Sequence, residues 1–522
     1  MKLAGEVAAA LVERGADTVF GVPGGGANLD LVGAAQAAGL RFVLAHGETN
    51  GAIMASTYGL LTGRPAMAIA TRGPGVTASV NGAAQATLDR FPLLLVTDCV
   101  PAGDRERVAH QRVDQRSVMR PVTKWSGTIG ADDAAADTAR AALELAARAP
   151  RGAVHLDFDP AGSSEPVGRS SPTTPSPTTD RDRVSALLAS AARPVVIAGI
   201  ECVDDADAVL AGLERLGCPV LTTYQAVGLL PPGHPQRAGL YTSGAVERPL
   251  LSEADLVIAV GLDTVEPMPT PWGYDAPVVS ISNLPPASTF LPADIALTGP
   301  VATLLGDLAG SAAHGWTRDA GAVALERTRS TLGEFSGSGF GPVDLTLAVA
   351  RAAPPGVTAT VDAGAHFLAI MPFWNPTAVH RLLISNGLAT MGFALPAAIG
   401  AALARPGEPV VCLVGDGGLG MTLAELETVA RLRLPITVVV FDDAALSLIE
   451  VKQRPGQGGE GAVRYRPVDF AGVAQAMGVE AHVATDTAHV ERLVHDGWDR
   501  PRLIDARIDP SPYAGLIRAT RG

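Results

Sequence analysis

Residues 409–443 read PVVCLVGDGGLGMTLAELETVARLRLPITVVVFDD and combine two apolar runs, a glycine-rich turn and a helical pattern. The run 409–414 has the length of a buried strand, and residues 415–420 form the turn GDGGLG. The pattern from 421 to 432 is typical of a helix, and the second apolar run, 436–441, is followed by two aspartates. A strand, a helix and a second strand in this order predict a parallel βαβ unit.

The same alternation of short apolar runs and helical stretches extends along the chain of 522 residues. It predicts an α/β protein with three doubly wound parallel-sheet domains, because one hydrophobic core does not grow to this size. A stretch rich in Pro, Ser and Thr and a later one rich in Gly and Ser indicate the boundaries. The predicted parts are an N-terminal domain (1–162), a linker (163–182), a central domain (183–332) and a C-terminal domain (333–522).

Composition excludes several classes of protein. The formal net charge of −13 leaves no overall basic character for binding nucleic acid. The four cysteines lie far apart without metal-ligand spacing, and charged residues interrupt the first apolar stretch, so we expect a cytoplasmic protein without a signal peptide. We find no apolar run of membrane-spanning length, and the mean hydropathy of +0.23 favours burial in subunit interfaces, hence a homo-oligomer.

The aspartate within the glycine turn indicates a metal ion. A carboxylate at Asp416 would repel a bare diphosphate unless a divalent cation lay between them. Asp443 follows 27 residues later, which is the length a turn, helix and strand need to return to the same sheet edge. Mg²⁺ prefers six oxygen ligands, which two carboxylates, a loop carbonyl, two diphosphate oxygens and a water would supply.

A second interpretation of the same turn stays open. GDGGLG also matches the G-x-G-x-x-G pattern of dinucleotide-binding folds, and Asp442 lies where an acid would bind the ribose. This alternative predicts an NAD-linked oxidoreductase.

The segment 415–443 resembles the GDG…N motif of thiamin-diphosphate enzymes of the acetolactate synthase, pyruvate decarboxylase and benzoylformate decarboxylase group. The resemblance implies that Asp416, Asp443 and the main-chain carbonyl of Ala445 bind Mg²⁺. It places Gly415, Gly417 and Gly418 around the diphosphate. Most members of the group have Asn where this chain has Asp443, and the extra negative charge is expected to weaken cofactor binding.

Two upstream segments resemble the other cofactor-facing turns of this family. They are VDAGAH (361–366) and SNGLATMGFALP (385–396). The resemblance assigns Gly364, Ala365, His366, Ala389 and Met391 to the cofactor site. Met391 is implied to be the apolar wedge that bends the cofactor.

The N-terminal region resembles the pyrimidine-binding domain of the family through VFGVPGGGANLDLV (19–32), HGETNGA (46–52), RGPG (72–75) and LDRFP (88–92). The resemblance implies cofactor contacts at Gly24, Gly73, Pro74 and Gly75. It makes Glu48 the carboxylate that shares a proton with the pyrimidine ring. His110 and Gln111 lie on the segment that leans over the reacting ring in the family, and they are further candidate catalytic residues.

The resemblance implies a thiamin-diphosphate and Mg²⁺-dependent enzyme that decarboxylates a small 2-oxo acid and transfers the remaining unit to a second carbonyl. A simple 2-oxo-acid decarboxylase is the alternative within the fold, and a non-enzymatic scaffold is disfavoured because Glu48, Asp416 and Met391 are all present. The resemblance also implies a homodimer or dimer of dimers with active sites between subunits. Some synthases bind FAD, which the strands of the central domain do not indicate, and Lys452 is a candidate partner for an anionic substrate group.

Overall fold

A computed structural model describes residues 2–168, 178–285, 291–308, 315–336, 339–454 and 456–522. These residues form three six-stranded sheets whose strands are all parallel and carry helices on both faces. The predicted α/β class with three doubly wound sheets is therefore confirmed. Residues 169–177 of the predicted linker lie outside the described residues, and the exact domain boundaries stay predictions.

The first sheet has the strand order β2-β1-β3-β4-β6-β5. Its strands are β1 (Thr18–Val22), β2 (Arg41–Leu44), β3 (Met67–Ala70), β4 (Leu93–Asp98), β5 (Trp125–Gly130) and β6 (Ala153–Asp159). Its helices are α1 (Lys2–Glu13), α2 (Ala27–Ala37), α3 (Glu48–Thr62), α4 (Pro74–Leu88), α5 (Gln115–Met119) and α6 (Ala135–Ala147), with short 3₁₀ helices at Ala102–Asp104 and Arg120–Val122.

The central sheet has the order β12-β11-β10-β7-β8-β9. Its strands are β7 (Pro194–Ala198), β8 (Val220–Thr222), β9 (Arg237–Leu240), β10 (Leu256–Val260), β11 (Val278–Ser282) and β12 (Ile295–Thr298). The helices around it are α7 (Thr178–Ser190), α8 (Ala206–Leu216), α9 (Arg248–Leu251), α10 (Val301–Leu308) and α11 (Ala320–Gly333), with a 3₁₀ helix at Ile200–Val203.

The third sheet repeats the order of the first, as β14-β13-β15-β16-β18-β17. Its strands are β13 (Thr358–Val361), β14 (Leu382–Ile384), β15 (Val410–Gly415), β16 (Ile436–Asp442), β17 (Glu480–Ala484) and β18 (Arg502–Arg507). Its helices are α12 (Pro342–Ala352), α13 (Ala365–Ile370), α14 (Ala394–Ala404), α15 (Asp416–Thr422), α16 (Glu425–Arg431), α17 (Ser447–Lys452), α18 (Phe470–Ala476), α19 (Thr487–His495) and α20 (Tyr513–Arg521), with a 3₁₀ helix at Glu460–Ala462.

The strand orders determine where ligands can bind. In a doubly wound sheet, a crevice opens at the carboxyl ends of the two strands between which the chain reverses its winding direction. These strands are β1 and β3 in the first sheet, β7 and β10 in the central sheet, and β13 and β15 in the third. The GDGGLG turn follows β15 in a sheet whose order is not that of dinucleotide-binding domains, so the fold does not favour the NAD-linked alternative.

The first and third sheets share a core through their helices. Helix α3 packs along α14, and one continuous hydrophobic cluster includes Met54 and Tyr58 from the first and Ile399 from the second. Two hydrogen bonds reinforce this contact: Thr390 Oγ1 donates to Asn81 Oδ1, and the Gly387 amide donates to Asp89 Oδ1. Among the described residues, no helix is long and apolar enough to span a membrane.

A bidentate ion pair joins the first sheet to the central one. Arg90 Nε and Nη2 donate to Asp263 at 2.7 and 2.8 Å, and the two side chains are only 18% and 9% exposed. Such a pair is costly to break by removing one partner, because the other charge stays buried alone.

Replacing Arg90 by Met should therefore lower the free energy of unfolding by about 3–5 kcal/mol, whereas the double variant R90M/D263L should lose much less. Urea denaturation followed by circular dichroism measures both. Equal losses in the single and double variants would show that the ion pair does not hold the two units together.

Candidate active site

Every residue predicted for the cofactor and metal site on the third sheet lines one cavity of about 230 Å³. The cavity lies where β13, β14, β15 and β16 end, at the crevice that the strand order defines. The eleven predicted residues in its wall are Gly364, Ala365, His366, Ala389, Met391, Gly415, Asp416, Gly417, Gly418, Asp443 and Ala445. Residues more than 50 positions apart in the chain thus form one site because parallel strands end at the same sheet edge.

Asp416 is buried in the wall of this cavity and incompletely hydrogen bonded. Its Oδ1 accepts the Gly417 amide at 2.7 Å, while Oδ2 has no partner among the described residues. Burial and then the nearby Asp443 carboxylate raise the pKa of Asp416 to about 7. A buried carboxylate oxygen without a partner costs free energy unless a ligand completes it.

Asp443 lies opposite, at the start of the loop after β16. Its Oδ2 accepts the Ser447 hydroxyl at 2.6 Å and its Oδ1 accepts the Ala445 amide at 3.1 Å. Burial raises the pKa of Asp443 to about 6, although both hydrogen bonds oppose this rise. The charge of Asp443 raises the free energy needed to ionise the partly buried Asp416. A divalent cation bound between the two carboxylates would remove this repulsion.

The glycines of the turn are required by close contacts. A Cβ on Gly418 would collide with Asp362 Oδ2, and one on Gly417 would lie 2.8 Å from the Leu446 side chain. The Asp362 carboxylate is itself buried and accepts the amides of Gly392 and Phe393, each at 2.9 Å. The turns after β13, β14 and β15 are therefore joined, and the glycine backbone faces the cavity without side chains.

His366 and Met391 border the same space. Burial lowers the pKa of His366 to about 4, so the imidazole is neutral, and its Nε2 has no partner among the described residues. Met391 Cε would lie 3.4 Å from a Cβ on Gly417, which places the methionine across the cavity from the turn. His366 is buried with its ring against Phe441, whereas Met391 is only partly buried.

The residues predicted for the pyrimidine side gather at the crevice of the first sheet. Glu48 is the first residue of α3, half-buried, with Oε1 3.3 Å from where a Cβ on Gly75 would lie. Pro74 begins α4, and Gly73 has a φ of 66° that favours glycine. A Cβ on Gly24 would collide with the Thr71 side chain.

The segment that contains His110 and Gln111, the last two candidate catalytic residues, folds back against this crevice. The Gln111 carbonyl would lie 2.6 Å from a Cβ on Gly73, and Gln111 has a positive φ of 55°. The side chains of His110 and Gln111 are exposed. The structure thus places Gln111 beside the predicted site, while a catalytic role for either residue stays a prediction.

Within one chain, the two groups of predicted residues form separate sites. The cavity around Asp416 is not lined by Glu48, Gly73, Pro74 or Gly75. The Glu48 crevice and the cavity around Asp416 are therefore lined by different residues of the chain.

The sequence did not single out Glu425, which links the two sites structurally. Its carboxylate is fully buried and accepts the His46 amide at 2.9 Å, the Asn50 side-chain amide at 2.8 Å and the Thr428 hydroxyl at 2.8 Å. Glu425 follows the metal-site turn by a few residues, and His46 and Asn50 flank Glu48. An acidic residue in a helical pattern carries no signal that it will be buried, so only the fold identifies it.

Other charged side chains near the predicted sites are paired within the protein or lie outside the cavity. Glu450 forms a bidentate pair with Arg464 at 2.6 and 2.9 Å, and His46 Nε2 lies 2.8 Å from Glu427 Oε2. Asp442 Oδ1 accepts the Ala444 amide and does not line the cavity. Lys452 ends α17 and does not line it either.

The described residues at the crevice of the central sheet give no positive indication of FAD, although its strand order is that of dinucleotide-binding domains. A dinucleotide would place its pyrophosphate at the turn after β7. There the buried Glu266 carboxylate already accepts the Ile200 amide, the Asp263 amide and the Thr223 hydroxyl. A Cβ on Gly199 would lie 2.6 Å from this carboxylate, so the donors are occupied by the protein itself.

Comparison with known families matches all three units to one kind of enzyme. Residues 1–118 match the N-terminal TPP binding domain of thiamine pyrophosphate enzymes, residues 181–308 the central domain, and residues 362–506 the C-terminal TPP binding domain. The chain belongs to the thiamine pyrophosphate enzymes, a family of transferases and lyases, and is acetolactate synthase-like. Thiamine pyrophosphate is the thiamin diphosphate inferred above.

Curated relatives cover nearly the whole chain. It is 28% identical to an acetolactate synthase of Bacillus subtilis, over 97% of this chain and 93% of the relative. It is 29% identical to a catabolic acetolactate synthase of Raoultella terrigena, over 90% and 88%. It is also 29% identical to a probable 2-ketoarginine decarboxylase, AruI, of Pseudomonas aeruginosa, over 94% and 90%.

Replacing Glu425 by Gln should loosen the turn that contains Glu48, because an amide cannot accept at both of its positions. We expect a loss of about 1–3 kcal/mol of stability and faster hydrogen exchange at the His46 amide. Hydrogen-exchange mass spectrometry of the peptide that covers residues 45–51 measures this directly.

Glu326→Gln is the matched control, since Glu326 is an exposed helical carboxylate that makes no described contact with residues 45–51. Exchange that is unchanged in Glu425→Gln, or equally faster in both variants, would contradict the role of Glu425.

Proposed function

We propose that this protein uses thiamin diphosphate and Mg²⁺ to decarboxylate a small 2-oxo acid and to join the remaining unit to a second carbonyl compound. The main support is that eleven residues predicted from distant sequence segments line a single cavity. The relatives named as acetolactate synthases support the carboligation step.

Each part of the cavity has a proposed task. Mg²⁺ would be held by the carboxylates of Asp416 and Asp443 and the carbonyl of Ala445. The diphosphate would be surrounded by Gly415, Gly417 and Gly418. Two observations support this fit. Oδ2 of Asp416 has no partner among the described residues, and a side chain on Gly417 or Gly418 would collide with its neighbours. Apolar side chains such as Leu446 and Ile449 in the wall would exclude water.

The chemistry needs a proton transfer at the pyrimidine end. Thiamin diphosphate, when bound, would supply a nucleophilic ring carbon for addition to a 2-oxo group and a cationic ring that delocalises the electron pair left behind by CO₂. Glu48 would hold and move the proton at the pyrimidine nitrogen, Met391 would support the bent cofactor, and the neutral His366 would face it from the third sheet. Gln111 and His110 would lie near the reacting atoms.

We further propose a homodimer or a dimer of dimers in which Glu48 of one subunit completes the cavity of another. Glu48 does not line the cavity of its own chain, which supports this arrangement. Several relatives are described as large subunits of assemblies. The four cysteines are all unpaired, which supports a reducing location such as the cytoplasm.

Decarboxylation without carboligation is the second candidate. The relative described as a probable 2-ketoarginine decarboxylase supports it, since its identity equals that of the synthases. Release of CO₂ without any C–C bond formation, for every acceptor tested, would favour this candidate.

Calorimetric titration of the cofactor-free protein with thiamin diphosphate should show binding only when Mg²⁺ is present. Asp416→Asn should abolish this binding, because the variant removes the carboxylate that the cation would neutralise. Asp443→Asn is the matched control and should still bind, since most family members have Asn there. Binding without Mg²⁺, or full binding by Asp416→Asn, would contradict the metal site.

Replacing Glu48 by Gln should leave cofactor binding unchanged but reduce turnover about a hundredfold or more, the range expected when a proton-transfer group is lost. CO₂ release with saturating cofactor measures the turnover. Glu106→Gln, an exposed carboxylate of the same unit, is the control. Near-normal turnover of Glu48→Gln would refute the proposed role.

A further inference from the structure

A second cavity at the carboxyl edge of the first sheet has no part in the chemistry described so far. It has a volume of about 420 Å³ and lies over the ends of β4 and β6. Its rim contains three arginines, Arg105, Arg112 and Arg116, on the segment that also includes His110 and Gln111. We call it the arginine cavity.

Two of these arginines have no acidic partner. Arg116 pairs with Glu165, whereas no carboxylate of the described residues lies within 4.0 Å of Arg105 or Arg112. Arg105 donates only to the Val100 carbonyl, and Arg112 only to the Arg105 carbonyl. In a chain with a net charge of −13, two guanidinium groups without an ion-pair partner at one concave site attract anions.

The acid in the floor of the cavity offsets part of their charge, since Arg116 and Arg105 lower the pKa of Asp157 against the effect of its burial. Asp157 is buried, and its Oδ1 already accepts the Gln115 side-chain amide at 2.5 Å and the Thr97 hydroxyl at 3.1 Å. Burial raises the pKa of Asp157 to about 6. The other acid in the lining, Asp114, accepts the Ser117 amide and hydroxyl as the cap of α5.

The arginine cavity shares a wall with the proposed pyrimidine site. Gln115 lines the cavity and accepts the Gly73 amide at 2.9 Å, while Gln111 packs on Gly73 from the same segment. A single stretch of chain, residues 111–115, thus borders both the arginine cavity and the turn proposed to hold the cofactor.

We infer that the arginine cavity binds a second anionic group of the substrate, a carboxylate or phosphate remote from the reacting 2-oxo group. The inference rests on the proposed function and narrows it to 2-oxo acids that carry a charged tail. Guanidinium groups bind such oxyanions through paired hydrogen bonds, which a lysine or a neutral side chain does not reproduce.

The first test measures anion binding without turnover. Calorimetry of the full-length protein at low ionic strength should detect 2-oxoglutarate, and Arg105→Gln and Arg112→Gln should each weaken its affinity about 10- to 100-fold, as expected for a lost charge-assisted hydrogen bond. Arg107→Gln is the matched control, because Arg107 lies on the same segment, pairs with Asp104 and does not line the cavity. Equal weakening in all three variants, or in none, would overturn the inference.

The second test separates the substrate's own charge from a free anion. In the loaded enzyme, Arg105→Gln should raise the KM for 2-oxoglutarate by the same factor and leave the KM for 2-oxobutyrate, which lacks the second acid, unchanged. Inorganic phosphate should compete with 2-oxoglutarate but not with 2-oxobutyrate. Phosphate binding that leaves the KM for both acids unchanged would overturn the inference in favour of a free anion site.

The outcomes also separate this inference from the proposed function. Release of no CO₂ from any 2-oxo acid would refute the proposed function, while calorimetry with 2-oxoglutarate would still decide whether the cavity binds an anion. Turnover of 2-oxobutyrate with no binding of 2-oxoglutarate would uphold the function and refute the anion site.

Discussion

The shape of the candidate active site depends on the buried carboxylate of Asp362. It accepts two amides of the turn after β14, and one of its oxygens occupies the space that a side chain at position 418 would need. This one group therefore bonds the turn after β13 to the turn after β14 and packs closely against the turn after β15. Its burial raises its pKa to about 6, and the backbone hydrogen bonds that it accepts offset part of that cost.

Around this contact the cavity concentrates unfavourable charge. Asp416 and Asp443 are both largely buried and each raises the cost of ionising the site. A protein keeps such an arrangement when a cation stabilises it in the functional state. The neutral His366 and the side-chain-free glycine turn would leave room for the proposed diphosphate next to the proposed cation.

Helices from the first and third sheets pack against each other and connect the two parts of the proposed site within one chain. Glu425 holds the turn around Glu48, and α3 packs on α14, so the two halves of the proposed chemistry are rigidly connected within one chain. They nevertheless face different spaces. In the proposed oligomer, each chain would therefore contribute one half-site to each of two active sites.

Much of the third-sheet site could be predicted from the sequence, because strand ends, glycine turns and the acids beside them are local features. The turn at Gly415 to Gly418 and the acid Asp443 were recognisable from a few neighbouring residues, whereas Met391 was assigned only through the resemblance to the family. Glu425 and Glu266 were not, because a glutamate in a helix or loop has the same local pattern whether it is exposed or buried. Lys452 was equally ambiguous, and the structure places it outside the cavity.

The sequence by itself determined the α/β class, the three sheets and the cofactor family, since periodicity and turn motifs depend on residues close in the chain. Only the tertiary structure decided which acids are buried, which arginines lack partners and which crevice is closed by the protein's own carboxylate. Those properties depend on the charge and solvent exposure of residues that are distant in sequence, such as Arg105 and Asp157 or Glu425 and His46. Burial and electrostatic interactions act through space, and no local pattern of residues encodes them.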